Sequence, residues 1–264
     1  MRIDLSGKQA VVSGSTAGIG YAIARGLAAS GARVVINGRS EQSVLDAARR
    51  LAAEVQGAAI TGVAADLGTA QGVHQFVSQV PSTDILVNNL GIFDPKPFLD
   101  IEDEEWERFF QVNVMSGVRL SRRYLPGMME RRWGRIVFIS SESGMQIPTE
   151  MIHYGMTKTA QLALSRGIAE IAAGTGVTVN AVLPGPTRSE GVSEFMSKLA
   201  HDQGKAVQAV EAEFIRENRP SSLIGRLAEV DEVASMVVYV CSEQASATTG
   251  AALRVDGGVV RSIV

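Results

Sequence analysis

Tyr154 and Lys158 stand four residues apart in Tyr154-Gly-Met-Thr-Lys158, and Ser141 lies thirteen residues before the tyrosine. Residues at i and i+4 share one helix face, so a phenol and an ammonium at this spacing can meet. A free tyrosine titrates near pH ~10, too high for a base at neutral pH. A neighbouring cation favours the phenolate and lowers that value. Ser141 offers a hydroxyl that can hold a carbonyl or alcohol oxygen beside the tyrosine. The three residue types together describe a proton-transfer site for interconverting C–OH and C=O. The same pair also suits a surface aromatic next to a solvated lysine, so the elements that position it must decide.

A strand over 135–140 delivers Ser141 at its carboxyl end. A loop with Gly144 and Pro148 follows, and a helix over 152–173 carries Tyr154 and Lys158. The same alternation runs through the chain. Apolar runs at 8–13, 33–37, 59–63, 84–87, 177–183 and 251–255 read as buried strands; helical periodicity starts at Gly18 and recurs at 41–55, 69–79, 102–131 and 230–241. Strands alternating with helices predict a doubly wound, three-layer α/β domain with a parallel sheet covered on both faces. Such sheets bind ligands beyond the carboxyl ends of their strands.

The other suggestive residues fall at those ends. Ser13-Gly14-Ser15-Thr16-Ala17-Gly18-Ile19-Gly20 follows the first strand and opens a helix. Glycines permit a tight turn and close approach of a pyrophosphate, and the helix aims its first N–H groups at the phosphates. The second strand ends Asn37-Gly38-Arg39, where a site for NAD(H) would place an acidic residue. A carboxylate would repel a 2′-phosphate and Arg39 would pair with it. The strand end therefore favours NADP(H), with NAD(H) the other cofactor it could take. Replacing Gly38 by Asp together with Arg39 by Ala is expected to reverse the preference. Asp66-Leu67 and Asn88-Asn89-Leu90-Gly91 end the third and fourth strands, where they can contact adenine and the cofactor's ribose. Asp66 could instead cap the helix starting near 69. Asn113 lies inside helix 102–131, a poor interior position for asparagine unless its amide has partners. Pro184-Gly185-Pro186-Thr187 ends the sixth strand and would wall the nicotinamide position. Residues 188–222 fit no sheet element, and their length and apolar spacing predict a lid over a substrate pocket or an oligomer contact.

The chain has 264 residues, 45% hydrophobic and 20% charged, with net charge −3. Nothing in that balance points to nucleic acid or an anionic membrane. One cysteine, Cys241, excludes an internal disulfide and suits a reducing compartment, and the polar start is no signal peptide. A cytoplasmic location is expected, with no metal.

As a set these residues resemble the short-chain dehydrogenase/reductase family in its single-domain form, from Gly7 to Gly258. The family's glycine motif matches Ser13–Gly20 with Ser for Thr, and its N-N-A-G motif matches Asn88–Gly91 with Leu90 for Ala. The resemblance implies a Rossmann-like sheet of seven strands in one domain spanning residues 1–264. It implies an oxidoreductase for ketones and secondary alcohols, with hydride carried by the cofactor. Asn113, Ser141, Tyr154 and Lys158 take the catalytic positions: Tyr154 as acid/base, Lys158 lowering its pKa and holding the nicotinamide ribose, Ser141 holding the substrate oxygen, Asn113 anchoring a relay water. The implied cofactor contacts are Gly14, Ser15, Thr16, Gly18, Ile19, Gly20, Asn37, Arg39, Asp66, Leu67, Asn89, Gly91, Pro184, Gly185, Thr187 and Ser189, besides Tyr154 and Lys158. It also implies a homotetramer or homodimer built through helices 102–131 and 152–173 and the C-terminal segment. The four-residue Tyr–Lys spacing argues against the family's enoyl reductases, and the length against its epimerases. Phe93, Met145, Gln146, Ile147 and Met151 are expected to line the substrate pocket, with Glu142, Glu150 and His153 nearby. A medium-sized apolar ketone or 3-oxoacyl compound is the first expectation for substrate. A sugar or polyol is the second, and an NADP(H)-binding sensor without turnover is the alternative of another class.

Overall fold

Short aliphatic, β-branched runs bounded by glycines and polar turns leave strands that must bury both faces. The computed structural model describes residues 2–263. Seven strands form one parallel sheet: β1 (Gln9–Val12), β2 (Arg33–Gly38), β3 (Ile60–Ala64), β4 (Ile85–Asn88), β5 (Gly134–Ile139), β6 (Val177–Pro184) and β9 (Ala252–Val255), in the order β3-β2-β1-β4-β5-β6-β9. Their register aligns Val12 with Ile36 on one side and Val87 on the other, so the strands end along one edge. The chain's direction of winding reverses between β1 and β4, which opens a crevice at that edge.

Alternate residues of each strand serve opposite layers. Val12, Val34, Ile36 and Val87 pack with Leu27, Val44 and Val237 from α1 (Gly18–Ala29), α2 (Glu41–Glu54) and α9 (Val230–Val240). Val11, Val35, Leu86 and Phe138 pack with Phe76, Leu120 and Ile168 from α3 (Ala70–Gln79), α5 (Ser116–Glu130) and α6 (Ile152–Ile171). Each fully buried side chain of this kind contributes roughly 1.5–3 kcal/mol, and the two layers clamp the sheet into a single three-layer domain.

Two expectations need correction. The helix read over 102–131 is α4 (Asp103–Phe110), a five-residue π turn (Gln111–Met115), then α5. The extra residue in the π turn is invisible to hydrophobic periodicity because α-helix continues on either side. Residues 188–222 also do not all lie outside sheet structure: Thr187–Arg188 (β7) pairs in parallel with Ala228–Glu229 (β8). Two-residue strands are too short to show alternation. The rest of the excursion folds as α7 (Glu190–Gln203) and α8 (Val207–Asn218), packed through Met196, Ala200 and Val210. The other elements fall where expected, with ends displaced by a residue or two.

Candidate active site

Ser140 and Ser141 follow the last residue of β5, Ile139. The Ser140 hydroxyl donates to the Lys158 carbonyl at 2.8 Å, tying α6 to the sheet end. Ser141 caps the short turn Glu142–Gly144, accepting from the Ser143 N–H at 3.1 Å and donating to the Glu142 carboxylate. One helical turn separates Tyr154 from Lys158, whose Nζ lies 5.5 Å from the centre of the tyrosine ring. Lys158 is only 4% exposed and donates to the Ile139 carbonyl at 2.9 Å and to Gln161 Oε1 at 3.4 Å. Burial pushes its ammonium down to about 8, against the opposing pull of Glu142.

Tyr154 is half-buried. Burial raises the phenol above its ordinary value and the Glu142 carboxylate adds to the rise; Ser141 and Arg219 oppose it. This differs from the expectation that Lys158 lowers the pKa of the phenol. The ammonium spends its hydrogen bonds on Ile139 and Gln161, and the desolvation of Tyr154 outweighs a charge at this distance.

Asn113 sits in the π turn and is 1% exposed. Its side-chain amide pairs with both main-chain groups of Ile92, accepting from N–H at 2.8 Å and donating to C=O at 3.0 Å. It also donates to Thr157 Oγ1 at 3.0 Å. Asn113 lies within the π turn, and its main-chain carbonyl accepts from Gln161 Nε2 at 2.6 Å. The structure brings Asn113 beside Gly91 and Thr157, as the sequence reading expected it to have partners, while Gln161 was not read as a site residue. Its signal was a polar residue three positions after Lys158, on the same side of the helix. Gly91 closes the cluster: a Cβ there would stand 3.4 Å from Lys158 Nζ and 3.5 Å from Asn113 Oδ1.

The glycine turn lies beside it. Gly18 has φ +57°, which disfavours any side chain. A Cβ at Gly20 would meet Asn89 Nδ2 and the Gly14 carbonyl at 2.4 Å. Asn89 stitches the turn, donating to the carbonyls of Ser13 at 3.0 Å and Gly14 at 2.9 Å. Leu90 lies over Gly14, and Ile19 packs against the core. Ser40 and Thr69 cap α2 and α3, whereas α1 begins after Ala17 with no side-chain cap. Its first N–H groups are left for an anion, a donor set that fits a dinucleotide pyrophosphate.

Several residues expected at the cofactor also tie the scaffold together. Ser15 is buried, donating to the Val12 carbonyl at 2.6 Å and accepting from Asn37 N–H at 3.0 Å. Asn37 uses its amide on Gly14, Val63 and Ala65 backbone groups. The Leu67 side chain is in the core, so only its main chain can face a ligand. Asp66 is exposed and accepts from Gly68 N–H at 3.0 Å, while Thr69, not Asp66, caps α3. Thr16 and the exposed Arg39 remain at the end of β2. Pro184 is buried at the end of β6, Gly185 packs on Asp256, and Thr187 donates to the Gly185 carbonyl at 2.8 Å. Ser189 caps α7 and approaches Gly18, which brings the excursion to the glycine turn.

On the substrate side, Phe93 meets Tyr154 edge-on at 6.4 Å. Met145, Gln146 and Ile147 are exposed and Met151 is half-buried. Arg219, just beyond α8, is 7% exposed; it donates to Glu142 at 2.9 Å and to Glu150 at 3.1 Å. Nothing local marked Arg219, because its partners are distant in sequence. His153 was expected near the substrate pocket. It is instead packed between Trp106 and Phe109, with its Nε2 3.6 Å from Glu105, and burial depresses its pKa.

The chain matches, over residues 14–260, the family described as Enoyl-(Acyl carrier protein) reductase. It is 50% identical over 263 residues to the uncharacterized oxidoreductase YvaG of Bacillus subtilis, covering all of both chains. It is 33% identical over 264 residues to the 3-oxoacyl-[acyl-carrier-protein] reductase FabG of Aquifex aeolicus, covering 98% of this chain and 100% of that one. The crystal structure of L-sorbose reductase from Gluconobacter frateurii, complexed with NADPH and L-sorbose, superposes with a TM-score of 0.93 at 32% identity and full coverage of both chains.

Lys158 sets a pH dependence of stability. Its ammonium falls from 10.5 to about 8 on folding, so its charge destabilises the fold fully below pH ~8, and that penalty fades as pH rises towards the unfolded value. Melts of the cofactor-free protein and its Lys158→Met variant should show wild type gaining on the variant between about pH 8 and 10.5, by up to about 3 kcal/mol. A constant difference across that range would mean the ammonium is not desolvated.

Proposed function

The chain belongs to the short-chain dehydrogenase/reductase family, and on that premise we propose that it interconverts a ketone and a secondary alcohol with NADP(H). The observation that carries this reading is the convergence of Tyr154, Ser141 and the buried Lys158 next to the glycine turn and the uncapped start of α1. The bound nicotinamide supplies or accepts the hydride. The turn's backbone and the first N–H groups of α1 would hold the pyrophosphate, Thr16 and Arg39 the 2′-phosphate, and Asn89, Gly91 and Lys158 the neighbouring ribose. Asp66 and the Leu67 main chain would face adenine, and Pro184, Gly185, Thr187 and Ser189 the nicotinamide.

Tyr154 gives its hydroxyl proton to the substrate oxygen in reduction and takes it back in oxidation. Ser141 turns its hydroxyl from Glu142 to that oxygen. A cationic nicotinamide ring and Arg219 both favour the phenolate and counter the effect of burial. The description of the matched family names an enoyl reductase; the four-residue Tyr–Lys spacing supports carbonyl chemistry instead. A cytoplasmic homotetramer or homodimer is part of this reading. It is supported by the exposed Phe110, Met156 and Ile171 on the helices expected to pair. No helix among the described residues is long and apolar enough to cross a membrane.

A second reading of the substrate draws on Glu142 and Arg219. A buried carboxylate and guanidinium beside Ser141 suit hydroxyl groups better than an alkyl chain. The likeness to L-sorbose reductase supports a polyhydroxylated ketone. Assays with NADPH should give a higher kcat/KM for a ketohexose than for 3-oxoacyl thioesters, and the reverse ranking would restore the apolar expectation.

Tyr154→Phe should cut turnover by ~10²–10⁴-fold and leave NADPH binding nearly intact; retention of more than about a tenth of wild-type rate would remove Tyr154 from the acid/base role.

For cofactor choice, the paired replacement of Gly38 and Arg39 is compromised, because a Cβ at Gly38 would stand 2.6 Å from Thr16 Cγ2. Arg39→Ala alone is the cleaner test. It should weaken NADPH by about 10-fold and leave NADH unchanged, with the gap shrinking at high salt. Equal effects on both cofactors would sink the 2′-phosphate contact.

A further inference from the structure

Gln161 lies one turn beyond Lys158 on α6 and is 1% exposed. Its two amide atoms face partners of opposite kind. The Asn113 carbonyl can only accept, so it must meet Nε2, at 2.6 Å; the Lys158 ammonium can only donate, so it must meet Oε1, at 3.4 Å. The amide therefore has one usable orientation. It spans the gap between the Asn113 carbonyl in the π turn and the buried lysine. The family resemblance implied that a water anchored at Asn113 connects to Lys158, and here a side chain already makes that connection.

We propose that Gln161 is a positioning residue for Lys158, which fixes the ammonium between Ile139 and Tyr154 and sets its proton affinity. This rests on the preceding reading for the role of Lys158, though not for the contact itself. An ammonium has three donors. The Ile139 carbonyl and Gln161 take two of them, which leaves one N–H for the Gly91 side, where the ribose would lie. Without the amide, the ammonium loses half of its protein acceptors while staying buried, and it can swing away from that direction.

The titratable groups facing Lys158 are few: Tyr154 from its own helix, and Glu142 from the turn after β5. The π turn, the end of β5 and the loop at Gly91 present only Asn113, a carbonyl and backbone. Burial and Glu142 act on the proton of Lys158, and Gln161 adds an acceptor in direct reach of its ammonium. A hydrogen bond to the charged form favours that form.

Two variants separate positioning from simple packing. Gln161→Leu removes both contacts. Gln161→Glu keeps an acceptor for Lys158 and makes it anionic, while losing the donor to Asn113. The titration of Lys158 is read by NMR on cofactor-free protein carrying 15N-labelled lysine, and kcat and KM for NADPH are measured against pH. We expect the Lys158 midpoint to fall by about one pH unit in Gln161→Leu and to rise in Gln161→Glu. The rate limb should move with it, and kcat should drop by about 10-fold in Gln161→Leu. Midpoints unchanged in both variants, or shifted the same way, would reduce Gln161 to packing and overturn the proposal. If Gln161→Leu does not fold, Gln161→Asn keeps the polarity but is too short to span both partners; a lowered midpoint supports the proposal and an unchanged one overturns it. Absence of turnover in wild type would defeat the proposed function, while the lysine titration would still decide this contact.

Discussion

A charged amine kept out of water is the constraint that organises this molecule. Lys158 is nearly inaccessible, and an ammonium in that position is costly unless acceptors are built around it. The acceptors come from the end of β5 and from α6, while the π turn and the Gly91 loop complete the enclosure. Apart from the Gln161 contact within α6, these are not local. Each needs the sheet edge, the helix and the loop in register, so the lysine is held only when the doubly wound architecture is complete.

The same economy governs the edge of the sheet. Ser13, Ser15, Asn37 and Asn89 could each be taken for a ligand contact, yet they chiefly tie the ends of β1, β2, β3 and β4 to one another. A glycine turn has little of its own to keep it shaped, since glycine carries the largest backbone entropy to lose. The buried polar residues supply that shape. Rigidity at the rim lets the uncapped start of α1 present its N–H groups in one direction, which is what preorganised binding of an anion requires.

Much of this was legible in the chain. Apolar runs separated by helical periodicity define a parallel sheet, because both faces of each strand must be covered; chemistry-bearing residues at strand ends then fall together by topology. Tyr154, Lys158, Ser141 and Asn113 were found on that logic. The missed features share a physical character. The π turn changes the helix by one residue without changing composition. Arg219 and Gln161 matter through partners distant in sequence, Glu142 for the one and the Asn113 carbonyl for the other. Ser15, Asn37 and Leu67 were located correctly, but whether a side chain faces ligand or scaffold depends on rotamers that spacing does not encode. The β7–β8 pair is simply too short to carry a pattern.

Arg219 hangs from the end of α8 and grips Glu142 next to the Tyr154 phenol. Its charge lowers the proton affinity of Tyr154 and the charge of Glu142 raises it. The two charges act on the phenol as weight and counterweight: taking away the guanidinium alone would leave the carboxylate unopposed and the phenol a poorer acid. A residue at the end of α8 therefore has a hand in the acidity of a group that the sheet edge and α6 hold in place.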